Sequence, residues 1–279
     1  MVQQEAQAYV DSAYTTLPRN RVELEHDYGP NVHILSDPFL LTHLAYLCEE
    51  RTVQPAINTL VSDLYQYLIH AMLNSEFPLV IKSVRTRMAA VSPYGVWTGQ
   101  VIDRETKTVT VNIVRAGSLP SQVCFDYLNK TLNPELVRQD HVVMARTLNE
   151  KGEVIGSTLG DSKIGGDVED AVLLFPDPMG ATGSSISTVI DYYKKTVPGK
   201  VKKIVAAHLI ITPEYIRKMT HDHPDVKIYA IRLDRGASPA EVLKCRLGEK
   251  LEIEKGLTDK QYIVPGGGGF GEIINNAYC

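Results

Sequence analysis

The sequence predicts an α/β fold in which a parallel sheet carries helices on both faces. Apolar segments of strand length recur along the second half of the chain, and segments with helical spacing of apolar residues separate most of them. This alternation favours parallel pairing, because each helix returns the chain across one face of the sheet. The composition agrees, since 44% hydrophobic and 22% charged residues are ordinary for a globular protein with a sizeable core.

The N-terminal part of the chain precedes this alternation. Residues 1–32 predict a polar extension. Ser36 is suited to cap a helix that begins at SDPFLLTHLAYLCEE, with Pro38 in its first turn. A second helix is predicted over 53–74, and residues 91–114 predict a hairpin followed by a strand. Apolar positions recur at helical spacing in the second helix: Ile57, Leu60, Val61, Leu64, Leu68 and Met72.

Strands and helices then follow one another in turn. A polar stretch at 147–168 predicts a long loop within this series. The predicted strands lie at 108–114, 141–146, 170–176, 203–211 and 226–232. The predicted helices lie near 119–130, 183–195 and 213–220.

Charge and composition exclude several classes of function. A net charge of −4 and a pI near 6.1 argue against a protein that mainly coats nucleic acid. No apolar run approaches the ~20 residues of a membrane span, and the N-terminus lacks the basic and apolar blocks of a signal peptide. We therefore expect a cytoplasmic protein with no membrane or nucleic-acid partner and no metal site of its own. The cysteines show no metal-type pairing, which favours reduced thiols: Cys48, Cys124, Cys245 and Cys279.

Charged side chains stand where three predicted strands end, which is where open parallel sheets bind ligands. Arg115 follows the strand at 108–114, Arg146 ends the next strand, and Asp177 follows the third. Guanidinium forks match phosphate oxygens, and a carboxylate accepts hydrogen bonds from vicinal ribose hydroxyls. The combination predicts a ligand with phosphates and a hydroxylated sugar.

The stretch FPDPMGATGSSIST, at 175–188, joins a predicted buried strand to a helix. Its glycine and small hydroxyl residues would present backbone N–H groups and hydroxyls to a monophosphate at the start of that helix. An ordinary strand-to-helix turn, with Asp177 in solvent and Ser184 or Ser185 as the cap, accounts for the same stretch. The stretch alone leaves both interpretations open.

The C-terminal stretch YIVPGGGGFGE, at 262–272, combines an apolar triplet, a proline and several glycines. Glycine lets backbone approach a flat ligand closely. A floppy tail is the alternative interpretation. The apolar residues that flank the glycines favour an ordered wall: Tyr262, Ile263, Val264 and Phe270.

Four segments together resemble the uracil phosphoribosyltransferase family. The chain reads VRAGSLP, MARTLNE, DPMGATGSS and YIVPGGGGFGE, in the family's order. The family has an LRAGLGM-like loop, an arginine after the next strand, a DPMLATGGS-like loop and a YIIPGLGDAGD-like or YIVPGFGDFGD-like segment. The resemblance runs from about residue 33 to the C-terminus. It implies a type I phosphoribosyltransferase fold, with a parallel core at about 79–236 and a hood from about 33–78 and 237–279.

The resemblance also implies roles for individual residues. Asp177 would hold the ribose hydroxyls of phosphoribosyl pyrophosphate, and Arg115 and Arg146 would bind its pyrophosphate; these three form the implied catalytic set. The other positions fall into three groups: Ala116 and Gly117 in the pyrophosphate loop; Ala181, Thr182, Gly183, Ser184 and Ser185 around the 5′-phosphate; and Tyr262, Ile263, Gly268 and Phe270 in the uracil wall, where main-chain groups read the base.

The implied reaction transfers the phosphoribosyl group to uracil, giving uridine monophosphate and pyrophosphate. The enzyme would position the reactants and stabilise the leaving group in a transition state with carbocation character. The implied cofactor is Mg²⁺, bound mainly through the pyrophosphate. The resemblance further implies a cytoplasmic homodimer, and GTP binding as a family trait.

Three departures from the family pattern bear on this function. Gly269 stands where the family has an aspartate near the ribose, Gly180 replaces a leucine, and about twenty residues are inserted at 237–258. The missing carboxylate favours a second hypothesis, a nucleotide-binding relative that serves as a sensor or structural subunit without turnover. A third hypothesis, an RNA-binding regulator, is disfavoured by the acidic net charge and the lack of a basic aromatic face.

Overall fold

The computed structural model describes residues 11–17, 22–148 and 154–278, with the backbone alone for 145–148 and 154–158. The helices are α1 (Pro38–Leu47), α2 (Ala56–Glu76), α3 (Ser118–Thr131), α4 (Ser184–Lys195), α5 (Pro213–Asp222) and α6 (Phe270–Ile273). The strands are β1 (Val32–Ile34), β2 (Leu79–Arg85), β3 (Val96–Ile102), β4 (Thr108–Val114), β5 (Val137–Leu148), β6 (Val154–Lys163), β7 (Val172–Pro176), β8 (Met179–Gly180), β9 (Lys203–Ile211) and β10 (Lys227–Leu233).

Within these residues, eight strands form one sheet in the order β1-β10-β9-β7-β4-β5-β6, with the short β8 also paired to β9. All neighbouring strands are parallel except β5 and β6, which are antiparallel. The strands β2 and β3 form a separate antiparallel hairpin. The predicted α/β class with a mainly parallel sheet is therefore confirmed.

Alternate residues of β7 show how both faces of the sheet are covered. Val172 and Leu174 pack in the core beneath α1, α2 and α3. Leu173 and Phe175 pack in the opposite core, beneath α4 and α5. All four side chains are buried. A strand that is covered on both faces has no polar face, which is why its sequence is an unbroken apolar run.

The first two helices follow the prediction with one correction. Asp37 caps α1 instead of Ser36, because the Asp37 carboxylate accepts a hydrogen bond from the Phe39 N–H at 2.8 Å. Pro38 occupies the first turn, as predicted. In α2 the predicted apolar stripe is buried, except for Leu60, which is partly buried against the same core. Among the described residues, none of the helices has an apolar stretch long enough to cross a membrane.

The predicted loop at 147–168 is wrong over much of its described length. Residues Val154–Lys163 form β6, which pairs antiparallel with β5 at the edge of the sheet. This edge strand contains glycine, serine, threonine and aspartate, so it lacks the apolar run by which buried strands are recognised. The hairpin also begins earlier than predicted, because β2 supplies its first strand.

Candidate active site

The ends of β4 and β7 lie side by side, because these two strands are neighbours in the sheet. Arg115 follows β4 and Asp177 follows β7, so the two residues lie at the C-terminal ends of neighbouring central strands. The loops in which they lie are in contact. A Cβ atom at Gly117 would lie 2.8 Å from the carbonyl oxygen of Ile113 and 3.1 Å from that of Pro176. A larger residue at this position would separate the two loops.

Asp177 is half-buried at the end of β7. Its Oδ1 accepts a hydrogen bond from the Met179 N–H at 3.2 Å. Burial raises the pKa of the Asp177 carboxyl to about 6. Ionisation at neutral pH therefore costs free energy until a ligand donates hydrogen bonds to the carboxylate, and such groups are typical of binding sites. The alternative in which Asp177 is a solvated turn residue does not fit its burial.

The loop between β8 and α4 presents main-chain donors. Gly183 is the N-cap residue, with a φ of 77° and no side chain of its own to cap the helix, and the Thr182 hydroxyl accepts the Ser184 N–H at 3.3 Å; the alternative in which Ser184 or Ser185 caps it is therefore wrong. Within the described residues, the N–H groups of Thr182, Gly183, Ser185 and Ile186 have no acceptor. The helix that follows has 12 residues. Open donors at the positive end of such a helix suit a bound anion.

Arg115 connects the loop after β4 to the C-terminal segment. Its Nη1 donates a hydrogen bond to the carbonyl oxygen of Ala277 at 3.1 Å. The Cβ of Ala116 lies 3.8 Å from the position that a Cβ at Gly271 would take. The peptide bond between Val114 and Arg115 is cis. Because Arg115 is exposed, a ligand that binds between these segments can reach the guanidinium.

Arg146 lies in β5, where its backbone pairs with Ser157 of β6. The last paired residue of β4 is Val114, which is opposite Val143. The strand β5 thus continues beyond the end of β4, on the side where the Arg115 loop begins. The position of the Arg146 side chain lies outside the described part of the chain.

The C-terminal glycines are held by a clasp of two charged residues at the end of β10. Arg232 and Asp234 form a two-pronged ion pair, with N···O distances of 2.7 and 2.8 Å. The Asp234 carboxylate accepts the Gly266 N–H at 2.7 Å, and Arg232 donates to the Gly266 carbonyl oxygen at 2.8 Å. The segment is therefore ordered, and the floppy-tail alternative is wrong. Sequence reasoning missed this clasp, whose signal is the pair of opposite charges in IRLDRG.

The predicted uracil wall presents mainly its backbone. Ile263 is partly buried against the core and Tyr262 is 65% exposed, whereas the ring of Phe270 is 1% exposed and packs inside the core. Gly268 has a φ of 90°. The N–H groups of Gly268 and Gly269 find no acceptor among the described residues. The prediction that main-chain groups would read a base is compatible with this arrangement.

Gly269 and Glu272 share one space. A Cβ atom at Gly269 would lie 2.8 Å from Oε2 of Glu272. The φ of Gly269 is −81°, so its backbone does not require glycine. Within the described residues, the Glu272 carboxylate has no hydrogen-bond or ion-pair partner. Glu272 thus brings a carboxylate to the place where the side chain of an aspartate at 269 would project.

No three acidic, histidine or cysteine side chains come together in a metal-binding group within the described ranges. The described groups of the site are two loops, one carboxylate with a raised pKa, and an exposed arginine. Such a site fits a ligand that carries its own phosphates.

Comparisons with known proteins identify the family of the chain. A sequence model of the family described as uracil phosphoribosyltransferase matches residues 34–249. A uracil phosphoribosyltransferase from Polaromonas naphthalenivorans is 27% identical over 206 residues, which cover 74% of this chain and 88% of the relative. The uracil phosphoribosyltransferase from Burkholderia thailandensis is 25% identical over 244 residues, which cover 87% of this chain and 94% of the relative.

Among solved structures, the AQ2163 protein from Aquifex aeolicus superposes with a TM-score of 0.65 and 20% sequence identity. The alignment covers 88% of this chain and 97% of that chain. At this level of identity the likeness shows a shared fold.

Proposed function

The chain belongs to the uracil phosphoribosyltransferase family, a type I phosphoribosyltransferase fold, and on that premise we propose that it transfers the phosphoribosyl group of phosphoribosyl pyrophosphate to uracil. One observation carries the proposal. The half-buried carboxylate of Asp177 and the guanidinium of Arg115 follow the C-terminal ends of two neighbouring strands. Asp177 also lies a few residues before the open N–H groups at the start of α4. Phosphate, ribose and pyrophosphate each find a matching group there.

Each part of the substrate has its own partner. The N–H groups of Thr182, Gly183 and Ser185, with nearby hydroxyls, bind the 5′-phosphate. Asp177 accepts hydrogen bonds from the ribose hydroxyls, which relieve the cost of its ionisation. Arg115 and Arg146 bind the pyrophosphate with their guanidinium forks.

Bond exchange takes place at C1 of the ribose. The bond from C1 to the pyrophosphate oxygen breaks, and its electron pair leaves on the pyrophosphate. N1 of uracil forms the new bond to C1, and the proton that N1 loses passes to water. The arginines stabilise the charge that develops on the leaving group, and the main chain at 262–270 holds the base in line. Mg²⁺ would supply further charge neutralisation on the pyrophosphate, where a hard cation needs few protein ligands.

The direct test mixes the protein with labelled uracil, phosphoribosyl pyrophosphate and Mg²⁺ and measures the formation of uridine monophosphate. We expect product from the wild type and much less from Asp177→Ala. Adenine and hypoxanthine in place of uracil test the choice of base. If no base is consumed and calorimetry detects no binding of phosphoribosyl pyrophosphate, the proposal is wrong.

A second candidate function is a nucleotide-binding protein without turnover. Gly269 favours it, because an aspartate is missing where the family pattern has one. In this case calorimetry would detect binding of phosphoribosyl pyrophosphate and uridine monophosphate, while the assay would yield no product.

A further inference from the structure

Buried polar residues from the corner between β9 and α5 lie behind the loop that precedes α4. His208 is 1% exposed, and Thr212 and Tyr215 are 0% exposed. We call these three the corner residues. His208 Nδ1 lies 2.6 Å from the carbonyl oxygen of Asp177, and His208 Nε2 lies 2.6 Å from the Tyr215 hydroxyl. Through His208, the main chain of Asp177 is thus hydrogen-bonded to Tyr215 in the first turn of α5.

The direction of these hydrogen bonds follows from their chemistry. A carbonyl oxygen can only accept, so Nδ1 of His208 must donate to Asp177. A neutral imidazole then has its lone pair on Nε2, which accepts from the Tyr215 O–H. Burial lowers the pKa of His208 to about 4, in agreement with a neutral ring at physiological pH. The bonds therefore run in one direction, from Tyr215 through His208 to the main chain of Asp177.

Thr212 engages the next part of the loop. Its N–H donates to the Gly180 carbonyl oxygen at 3.1 Å, and its hydroxyl donates to the Ala181 carbonyl oxygen at 2.7 Å. The same hydroxyl accepts the Tyr215 N–H at 3.0 Å. The corner residues thus hold the carbonyl oxygens of Asp177, Gly180 and Ala181. A carbonyl oxygen that faced a phosphate would repel it, whereas these three face the protein.

The ring of Tyr215 also supports the loop by direct packing. A Cβ at Gly180 would lie 3.0 Å from Cδ2 of Tyr215 and 2.8 Å from a methyl carbon of Ile211. A Cβ at Gly183 would lie 3.3 Å from the same Cδ2. The tyrosine ring therefore takes the space that a side chain at 180 would need. This packing accounts for glycine at the position where the family pattern has leucine.

We propose that His208, Thr212 and Tyr215 are positioning residues. They turn the carbonyl oxygens of the loop into the protein and so direct its N–H groups and the Asp177 carboxylate toward a ribose 5-phosphate group. This inference rests on the proposed function for the identity of the ligand, but the contacts that it invokes exist without ligand. None of the corner residues touches the reacting atoms.

The first experiment needs no ligand. Nitrogen NMR of the full-length protein should detect a neutral His208 with its proton on Nδ1. Hydrogen exchange of the amides at 177–186 should be faster in Tyr215→Phe than in wild type, because the hydroxyl that orients His208 is lost. Tyr229→Phe is the matched control, since Tyr229 is also buried and donates its hydroxyl to Glu76 at 2.6 Å, away from this corner.

The second experiment separates positioning from general damage. Tyr215→Phe should weaken binding of ribose 5-phosphate about three- to tenfold, the effect of about one net hydrogen bond. Binding of inorganic pyrophosphate, which does not use the loop, should stay unchanged. His208→Asn keeps a donor near the Asp177 carbonyl oxygen and should retain more affinity than His208→Leu.

The outcomes distinguish the two proposals. Wild-type protein that binds neither ribose 5-phosphate nor phosphoribosyl pyrophosphate overturns the proposed function, and the NMR and exchange results then decide the inference alone. A proton on Nε2 of His208 overturns the inference. The inference is also wrong if the amides at 177–186 exchange equally fast in Tyr215→Phe and Tyr229→Phe. It is likewise wrong if Tyr215→Phe loses equal affinity for ribose 5-phosphate and for pyrophosphate.

Discussion

Asp177 illustrates how a single residue can oppose stability and favour binding. Its pKa of about 6 in the folded protein lies above the ordinary aspartate value. Between about pH 4 and pH 6, the Asp177 carboxyl is therefore protonated in the folded state and ionised in the unfolded state. Stability from this group falls as the pH rises through that window, and at neutral pH the ionised carboxylate is a net cost to the fold.

Replacing Asp177 with asparagine removes that cost. We expect Asp177→Asn to raise the free energy of unfolding by about 1–3 kcal/mol at pH 7.5, with no gain near pH 4, where the wild-type carboxyl is already protonated. Binding of phosphoribosyl pyrophosphate should weaken about ten- to a hundredfold, because a charge-assisted contact is lost.

Urea denaturation at the two pH values and calorimetry measure these effects. The exposed Asp126, replaced with asparagine, is the control. A gain for Asp177→Asn that is equal at both pH values would contradict the assigned pKa, and unchanged affinity would remove Asp177 from the site.

Whether the chain is active without an aspartate at position 269 depends on the carboxylate of Glu272. The Glu272 carboxylate lies 2.8 Å from the place of a Cβ at 269, so we expect it to act where the family pattern has an aspartate. Glu272→Gln should lower turnover about a hundred- to a thousandfold, the usual effect of losing one well-placed electrostatic group. Binding of phosphoribosyl pyrophosphate should change little.

A double variant makes this test specific. Gly269→Asp alone would bring two carboxylates together, which repel one another, whereas Gly269→Asp combined with Glu272→Gln carries a single carboxylate in the same space. The double variant should recover part of the rate that Glu272→Gln loses. Robust turnover in Glu272→Gln would show that the reaction needs no acid at this place.

At the scale of elements, the site joins the loop after β4 to the C-terminal segment. Arg115 is exposed but also donates to the carbonyl oxygen of Ala277. We expect Arg115→Lys to weaken binding of pyrophosphate-bearing ligands about tenfold, because a point charge cannot replace a fork. Uridine monophosphate, which lacks the pyrophosphate, should bind as in wild type. Arg51→Lys, on an exposed surface pair, is the control.

The comparison of the two ligands decides the role of Arg115. An equal loss for uridine monophosphate and phosphoribosyl pyrophosphate would mean that the lysine variant disturbs the loop itself. A loss limited to the pyrophosphate-bearing ligand supports the assignment.

The elements also show what the sequence could predict. The strands β4 and β9 match the prediction to the residue, because β-branched and other apolar residues dominate both segments and polar turns bound them. The polar edge strand β6 was missed, because it lacks an apolar run and its pairing with β5 is visible only in the fold. Asp37 and Ser36 are both good capping residues, and only the path of the backbone decides between them.

The candidate site likewise contains residues that the sequence could predict and residues that it could not. Arg115 and Asp177 were predictable, because parallel strands bring their carboxyl ends to one edge. The partners that hold the loops were not. Asp234 bonds to Gly266, 32 residues farther along the chain, and His208 bonds to Asp177, 31 residues earlier. Such pairs arise only from the tertiary fold, and no local pattern signals them.

At the scale of the whole molecule, one buried carboxylate joins the inserted segment to the N-terminal part of the chain and to the residues that follow β10. Glu254 lies at the end of the inserted segment at 237–258 and is 0% exposed. It accepts hydrogen bonds from Arg235 at 2.6 Å, from the Tyr28 hydroxyl at 2.5 Å and from the Gly248 N–H at 3.1 Å. Burial and the neighbouring carboxylate raise the pKa of Tyr28, so its hydroxyl stays protonated and donates.

Removing the charge of Glu254 should therefore destabilise the whole protein and leave the chemistry of the site intact. In Glu254→Gln the Arg235 guanidinium, whose side chain is 11% exposed, would remain buried without its counter-charge. We expect the free energy of unfolding to fall by about 3–5 kcal/mol, the usual effect of breaking a buried ion pair. The exposed pair between Asp191 and Lys195 is the control, and Asp191→Asn should cost about 0.5 kcal/mol or less.

Urea denaturation measures both changes, and calorimetry of the folded variant should give wild-type affinity for phosphoribosyl pyrophosphate. If Glu254→Gln is no less stable than Asp191→Asn, the cluster does not hold the three segments together. If Glu254→Gln folds stably but loses ligand, the inserted segment belongs to the site.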